Sequence, residues 1–113
     1  MKLNISRHQQ VVTVQLTETL VMSNADTTRL ALTELTDQGN HFLIIDLSLV
    51  NFLDSSGLAV LIAIYKQVNR QQGQVVLLQP QNNVRALIEL TRLHQIFDIY
   101  EDPQSAIHSL QAA

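Results

Sequence analysis

The sequence predicts an α/β fold: a mostly parallel sheet of four or five strands, with an N-terminal hairpin strand and about four helices. The prediction depends on short apolar or alternating segments, typical of strands, that follow one another along the chain in turn with segments whose apolar residues have helical spacing. Strands and helices alternating at these lengths require crossover connections, which place successive strands parallel in one sheet. The 113 residues, 46% of them hydrophobic, suffice for one core, so we expect residues 1–113 to form a single domain.

The first elements are a hairpin and a helix. Residues 11–16 alternate in the way a half-buried strand does, and Lys2 to Ser6 supply a short strand before it. Ser23, followed three residues later by Asp26, resembles a capping box and predicts the start of the first helix. Gly39 offers the left-handed residue that ends this helix.

A buried strand and a second helix follow. Phe42 to Ile45 are apolar without alternation, which is typical of a central parallel strand covered on both faces, and Asp46 ends that strand. Asp54 or Ser55 can cap the next helix, which Gly73 terminates. The inner face of this helix is predicted to consist of Leu58, Leu61, Ile62, Tyr65 and Val68.

The last third of the chain predicts two strands and two helices. Gln74 to Gln79 form a strand, and Asn82 or Asn83 can cap a third helix. A short strand is expected near residues 97–99. Asp102-Pro103 then opens the final helix, because proline suits the first helical position.

Composition argues against several classes of function. The formal net charge is −3 and charged residues make up 15%, so no basic stripe is available for nucleic-acid phosphates. The longest apolar run, residues 58–65, is far below the roughly 18 residues of a membrane span, and the N-terminus has no signal-peptide pattern. The absence of cysteine fits a reducing compartment, so we expect a cytoplasmic protein.

The sequence indicates no cofactor and no metal site. The three glycines, Gly39, Gly57 and Gly73, are isolated, so neither a phosphate loop nor a dinucleotide fingerprint is present. The four histidines are scattered singly, without the spacing of metal ligands.

The candidate site is Asp54-Ser55-Ser56-Gly57, where a loop after the buried strand enters the second helix. The first N–H groups of a helix lack intrahelical partners and carry the positive end of its dipole, which suits a carboxylate or a phosphate. Taken alone, these four residues are typical of a turn followed by a cap. The helix behind them is apolar nearly all round, through Ala59, Val60, Ala63 and Ile64. Burial and partner docking are both open explanations for this second apolar face.

Residues 45–58 read IDLSLVNFLDSSGL and closely resemble the signature of STAS domains, specifically those of bacterial anti-sigma-factor antagonists. The resemblance covers nearly the whole chain and implies a STAS-like fold. Further matching segments are Tyr65-Lys66-Gln67, Gln72-Gly73, Val84-Arg85-Ala86-Leu87, Thr91-Arg92-Leu93 and Ile96-Phe97.

This resemblance implies a non-enzymatic switch protein. The unmodified antagonist would bind an anti-sigma serine kinase, and phosphorylation of the motif serine by that kinase would release it. The motif serine corresponds to Ser55, although physical reasoning alone cannot choose between Ser55 and Ser56. Asp54, Ser56, Gly57 and Leu58 are then the expected partner-binding residues. A phosphoserine phosphatase is a further partner that such a cycle allows.

Two departures from the family pattern lie outside the serine motif. Thr17-Glu18-Thr19-Leu20 stand where the family tends to show glycine and then aspartate, which bears on the choice of kinase because that loop is expected at the same end of the fold. Arg92 replaces a common glycine and is expected to alter only a helix C-cap.

Three other functions are compatible with parts of this sequence. A serine hydrolase using Ser55 or Ser56 would need a Gly-x-Ser-x-Gly elbow and a placed histidine, and the sequence offers neither. A receiver domain would need an acidic pair around a metal, which Asp46 and Asp54 do not clearly provide. The main alternative is a STAS-type accessory subunit of a transport ATPase, docked through the same helix without a phosphorylation cycle.

Overall fold

A computed structural model describes residues 1–111, in which five strands form one sheet. The strands are β1 (Leu3–His8), β2 (Val11–Leu16), β3 (Phe42–Asp46), β4 (Gln74–Leu78) and β5 (Ile99–Tyr100). They lie side by side in chain order, with β1 antiparallel to β2 and every later pair parallel. The predicted α/β fold with an N-terminal hairpin strand is therefore confirmed.

The same residues contain four α-helices, and none of these is long and apolar enough to cross a membrane. The helices are α1 (Met22–Asp37), α2 (Ser55–Arg70), α3 (Asn82–Leu90) and α4 (Pro103–Gln111). The sheet divides the core: Ile45 packs in the cluster that includes α1, α2 and α3, whereas Ile44 packs with Ala106 and Leu110 of α4. Successive parallel strands joined by crossovers of one hand place the first three helices on one face.

The start of α1 differs from the predicted capping box. The helix begins at Met22, and the Asn24 side-chain oxygen accepts a hydrogen bond from the Val21 N–H at 3.0 Å. The prediction that Ser23 and Asp26 cap this helix is therefore wrong. The preceding loop is fixed by contacts with a distant segment, which the local pattern does not reveal.

The start of α3 also differs. The helix begins at Asn82 after Gln81, so the predicted cap at Asn82 or Asn83 is wrong. The Asn83 side-chain amide donates to the Asn51 carbonyl, and that of Gln81 donates to the Ser48 carbonyl at 2.9 Å. These amides tie α3 to the loop between β3 and α2, which carries the candidate site.

Gly39 has φ of 95° and ends α1 as predicted, but Gly73 has a different role at the end of α2. The left-handed residue there is Gln72, with φ of 61°, while the Gly73 N–H donates to the Val68 carbonyl. A Cβ on Gly73 would lie 2.0 Å from the His41 carbonyl oxygen. Gly73 therefore allows two backbone segments to approach closely.

The final strand lies later than predicted. It comprises Ile99–Tyr100. Phe97 is instead buried in the core, where its ring packs edge-on against the Tyr65 ring, with 5.3 Å between the ring centroids. The last helix begins as predicted, since the Asp102 carboxylate accepts the Ser105 N–H at 2.9 Å just before Pro103.

Arg92 follows the C-cap of α3 and adopts a left-handed conformation, with φ of 62° and ψ of 20°. Arg92 therefore lies at the C-terminal end of α3, where its effect on a helix C-cap was expected. Because side chains with a Cβ are strained in this region, we expect Arg92→Gly to raise the free energy of unfolding by about 1 kcal/mol. Urea denaturation measures this. The control Thr91→Gly, at φ of −88°, should instead lower the free energy of unfolding. A lower free energy of unfolding in Arg92→Gly would contradict the strained left-handed conformation of Arg92.

Candidate functional site

The segment from Asp54 to Gly57 joins the loop after β3 to the first turn of α2. Asp54 is the extended residue before the helix, with φ of −104°, and Ser55 is the first helical residue. Ser55 is exposed, whereas Ser56 is half-buried. The Ser55 hydroxyl can therefore be reached by another macromolecule, as a modification site requires.

Asp54 binds the starts of two helices at once. One carboxylate oxygen accepts the Gly57 N–H of α2 at 3.0 Å, and the other accepts the Met22 N–H of α1 at 3.1 Å. The hydrogen bond from the Gly57 N–H holds the pKa of Asp54 below its ordinary value of 3.8. Partial desolvation raises this pKa, whereas the Met22 and Ser56 N–H groups lower it further. The predicted cap of α2 by Asp54 is confirmed, and the bond to α1 was not foreseen.

Backbone hydrogen bonds join the loop before α1 to the loop before α2. The Leu20 N–H donates to the Phe52 carbonyl at 3.1 Å, and the Asp54 N–H donates to the Leu20 carbonyl at 3.3 Å. A Cβ on Gly57 would lie only 2.4 Å from the Leu20 carbonyl oxygen. The loop of residues 17–20, in which the sequence departs from the family pattern, was expected at this end of the fold, and through Leu20 it contacts the start of α2.

The surface beside Ser55 is partly apolar. The Met22 side chain, on the turn that Asp54 holds, is 77% exposed, and Phe52, three residues before Ser55, is 54% exposed. A shallow groove of about 230 Å³ runs between α1 and α2. It is lined by Met22, Ala25, Asp26, Arg29, Ser56, Ala59 and Val60. The groove therefore combines apolar side chains with the charged Asp26 and Arg29, and Ser56, the neighbour of Ser55, lies in it.

The second apolar face of α2 is mostly buried. Val60 and Ile64 belong to the core, at 3% and 0% exposure, while Ala63 is half-buried and Ala59 is exposed. Burial is therefore the correct explanation for the larger residues of this face. The exposed apolar area at the site comes mainly from Met22 and Phe52.

Gly57 and Leu58 are buried, so they can shape the site but cannot offer much surface to a partner. Asp54, Ser55 and Ser56 remain accessible in part or in full.

Sequence reasoning missed Met22 because the predicted cap at Ser23 placed it outside the first helix. It missed Phe52 because the loop from Leu47 to Leu53 is mostly apolar and shows no period that separates exposed from buried positions. The preference of exposed methionine and phenylalanine for protein interfaces was the available signal.

The lowered pKa of Asp54 gives a pH prediction. The unfolded chain binds the proton more readily than the folded protein, so the stabilisation by Asp54 is present above its ordinary pKa and is lost as the pH falls through the folded pKa. We expect the difference in unfolding free energy between wild type and Asp54→Asn to shrink from about pH 5 to about pH 3. The pKa of Asp102 is also lowered, chiefly by the Ser105 hydroxyl, but this residue is common to both proteins and cancels. A difference independent of pH would contradict the prediction.

The family of this protein is shown by a match that spans most of the chain. A family model described as the STAS domain matches residues 2–106. Since this match covers most of the chain, the protein belongs to the STAS domain family, and the resemblance found in the sequence is confirmed.

The relatives are named as anti-sigma-factor antagonists. The anti-sigma F factor antagonist of Paenibacillus polymyxa is 25% identical over 112 residues, which cover 98% of this chain and 96% of that protein. The crystal structure of an anti-sigma-factor antagonist from Mycobacterium paratuberculosis matches with a TM-score of 0.87 at 26% identity, covering 97% of this chain and 93% of the other.

The fold is also that of the anti-sigma-factor antagonist SpoIIAA. Its unphosphorylated form matches with a TM-score of 0.84 at 18% identity, covering 99% of this chain and 98% of the other. The phosphorylated form of SpoIIAA from Bacillus matches with a TM-score of 0.74 at 18% identity, covering 96% of this chain and 98% of the other.

Proposed function

We propose that this protein is an anti-sigma-factor antagonist that binds an anti-sigma serine kinase while Ser55 is unmodified and is released when the kinase phosphorylates Ser55. The observation that carries the proposal is the exposed Ser55 at the first position of α2, beside the exposed side chains of Met22 and Phe52. The names of the relatives support the role of an anti-sigma-factor antagonist.

Phosphorylation suits this position because the scaffold can tolerate the added charge. A phosphate adds roughly −1.5 to −2 charges at pH 7, and at the start of α2 it lies near the positive end of the helix dipole. The core residues behind it, such as Leu61 and Ile64, are fully buried and stay covered. The domain therefore remains folded while its surface charge changes.

The same charge opposes binding to a partner. An interface over Met22 and Phe52 would exclude water from the neighbouring Ser55, and a dianion there would have to be desolvated beside the Asp54 carboxylate. Asp54 and Ser56 lie beside Ser55 and contact the partner. Gly57 and Leu58 are buried below Ser55 and support the surface that the partner binds. A phosphoserine phosphatase would restore the binding form.

The test uses purified kinases of the anti-sigma type from the source organism, each incubated with the protein and ATP. Intact mass spectrometry should show the addition of one phosphate, and peptide mapping should place it on Ser55. Ser55→Ala should gain none, while Ser56→Ala should be modified like wild type. Phosphate mapped to Ser56 would overturn the choice of residue.

An unmodified protein that binds no such kinase would overturn the proposed function. That outcome would favour an accessory subunit of a transport complex, which needs no phosphorylation cycle.

A further inference from the structure

Asp54 connects two helices that are distant in sequence. Its carboxylate accepts the Gly57 N–H from its own helix and the Met22 N–H from α1, so both oxygens are engaged. No rotation of this side chain can move one oxygen away without disturbing a bond to a helix start. The residue that precedes Ser55 therefore determines how the two helices begin.

The first turn of α1 depends on this distant carboxylate. Its N-cap, Val21, has no side-chain acceptor, and no acidic residue lies in the first turn. Asn24 accepts the Val21 N–H, and Asp54 accepts the next one, that of Met22. Without Asp54 this N–H of α1 loses its protein partner, and the first turn frays more easily.

A phosphate on Ser55 would act directly on this arrangement. It places up to two negative charges on the neighbour of an ionised carboxylate, and the repulsion between these charges pushes the Asp54 side chain away from Ser55. The bond from Asp54 to Gly57 is local, since the two residues are three positions apart. The bond to Met22 joins separate segments, so the rearrangement that relieves the repulsion breaks this bond first.

We propose that Asp54 acts as a positioning residue that transmits phosphorylation of Ser55 to α1, by releasing the Met22 N–H and loosening the turn that carries the exposed Met22 side chain. This inference rests on the proposed function of Ser55. Modification then changes the shape of the partner surface as well as its charge, because Met22 borders the groove between α1 and α2.

The experiment installs phosphoserine at position 55 during translation, so no kinase is needed, and follows backbone amide exchange by NMR. We expect the Met22 amide to exchange about tenfold faster than in the unmodified protein, from repulsion between the neighbouring charges. The amide of Val14, in the centre of the sheet, should exchange at the same rate in both forms. Unchanged protection of Met22 would overturn the coupling.

The variant Asp54→Asn distinguishes an effect of phosphoserine that passes through Asp54 from a general destabilisation of the first turn of α1. The amide side chain offers one acceptor oxygen instead of two, so Met22 should already exchange faster, and phosphoserine at position 55 should add little more. Equal acceleration by phosphoserine in wild type and in Asp54→Asn would overturn the role of Asp54. Because the phosphate is installed without a kinase, these results are independent of whether a kinase modifies Ser55, which the mass-spectrometric test decides.

Discussion

Ser55→Asp is expected to bind the partner kinase at least about 30-fold more weakly than the unmodified wild type, which corresponds to about 2 kcal/mol. The substitution places one permanent negative charge at the start of α2, where the interface would have to desolvate it. Phosphoserine carries a larger charge and should weaken binding further, up to several-thousand-fold for about 5 kcal/mol. Ser55→Ala should bind at least as tightly as wild type and should not be released by ATP.

Isothermal titration calorimetry against the kinase measures these affinities, with thermal unfolding of each variant as a check on the fold. Ser6→Asp provides a control of equal charge, because Ser6 is exposed on β1, at the far edge of the sheet from α2. This control should bind like wild type. Equal affinities for Ser55→Ala and Ser55→Asp would reject the charge mechanism.

Gly57→Ala is expected to lower the free energy of unfolding by about 2 to 3 kcal/mol, the cost of overpacking a tight contact. The added Cβ would lie 2.4 Å from the Leu20 carbonyl oxygen and 3.0 Å from the Leu53 Cβ. The nearest atom belongs to the backbone, so the loops before α1 and α2 must move apart. Kinase binding should weaken as well, since this movement displaces Asp54 and Met22.

Chemical denaturation measures the stability change, and Ser56→Ala is the matched control in the same turn. Ser56 is half-buried and lines the groove, so its truncation should change stability by no more than about 0.5 kcal/mol. A glycine in an open helix would give the opposite sign, because alanine favours the helix by about 1 kcal/mol. A more stable Gly57→Ala would therefore contradict the close contact with Leu20.

Much of the fold could be predicted because its signals are local. The unbroken apolar run from Phe42 to Ile45 identified a central strand, and the alternation over residues 11–16 identified the strand of the hairpin. Helix starts were less predictable, because the loop between β3 and α2 accepts hydrogen bonds from the start of α1, at Met22, and from the start of α3, at Gln81 and Asn83. Gly73 was predicted as the residue that terminates α2, yet the reason for a glycine there is the close approach of the His41 backbone.

The candidate site was likewise predictable only where its signals are local. The Asp-Ser-Ser-Gly motif by itself predicted a helix start with Asp54 or Ser55 as its cap, and its resemblance to one family indicated Ser55 as the candidate phosphorylation site. Only the tertiary structure decided that Val60 and Ile64 are buried while Met22 and Phe52 are exposed, and that Asp54 also holds α1. A helix period and a cap depend on neighbours within a few residues, whereas exposure and the second bond of Asp54 depend on segments that only folding brings together.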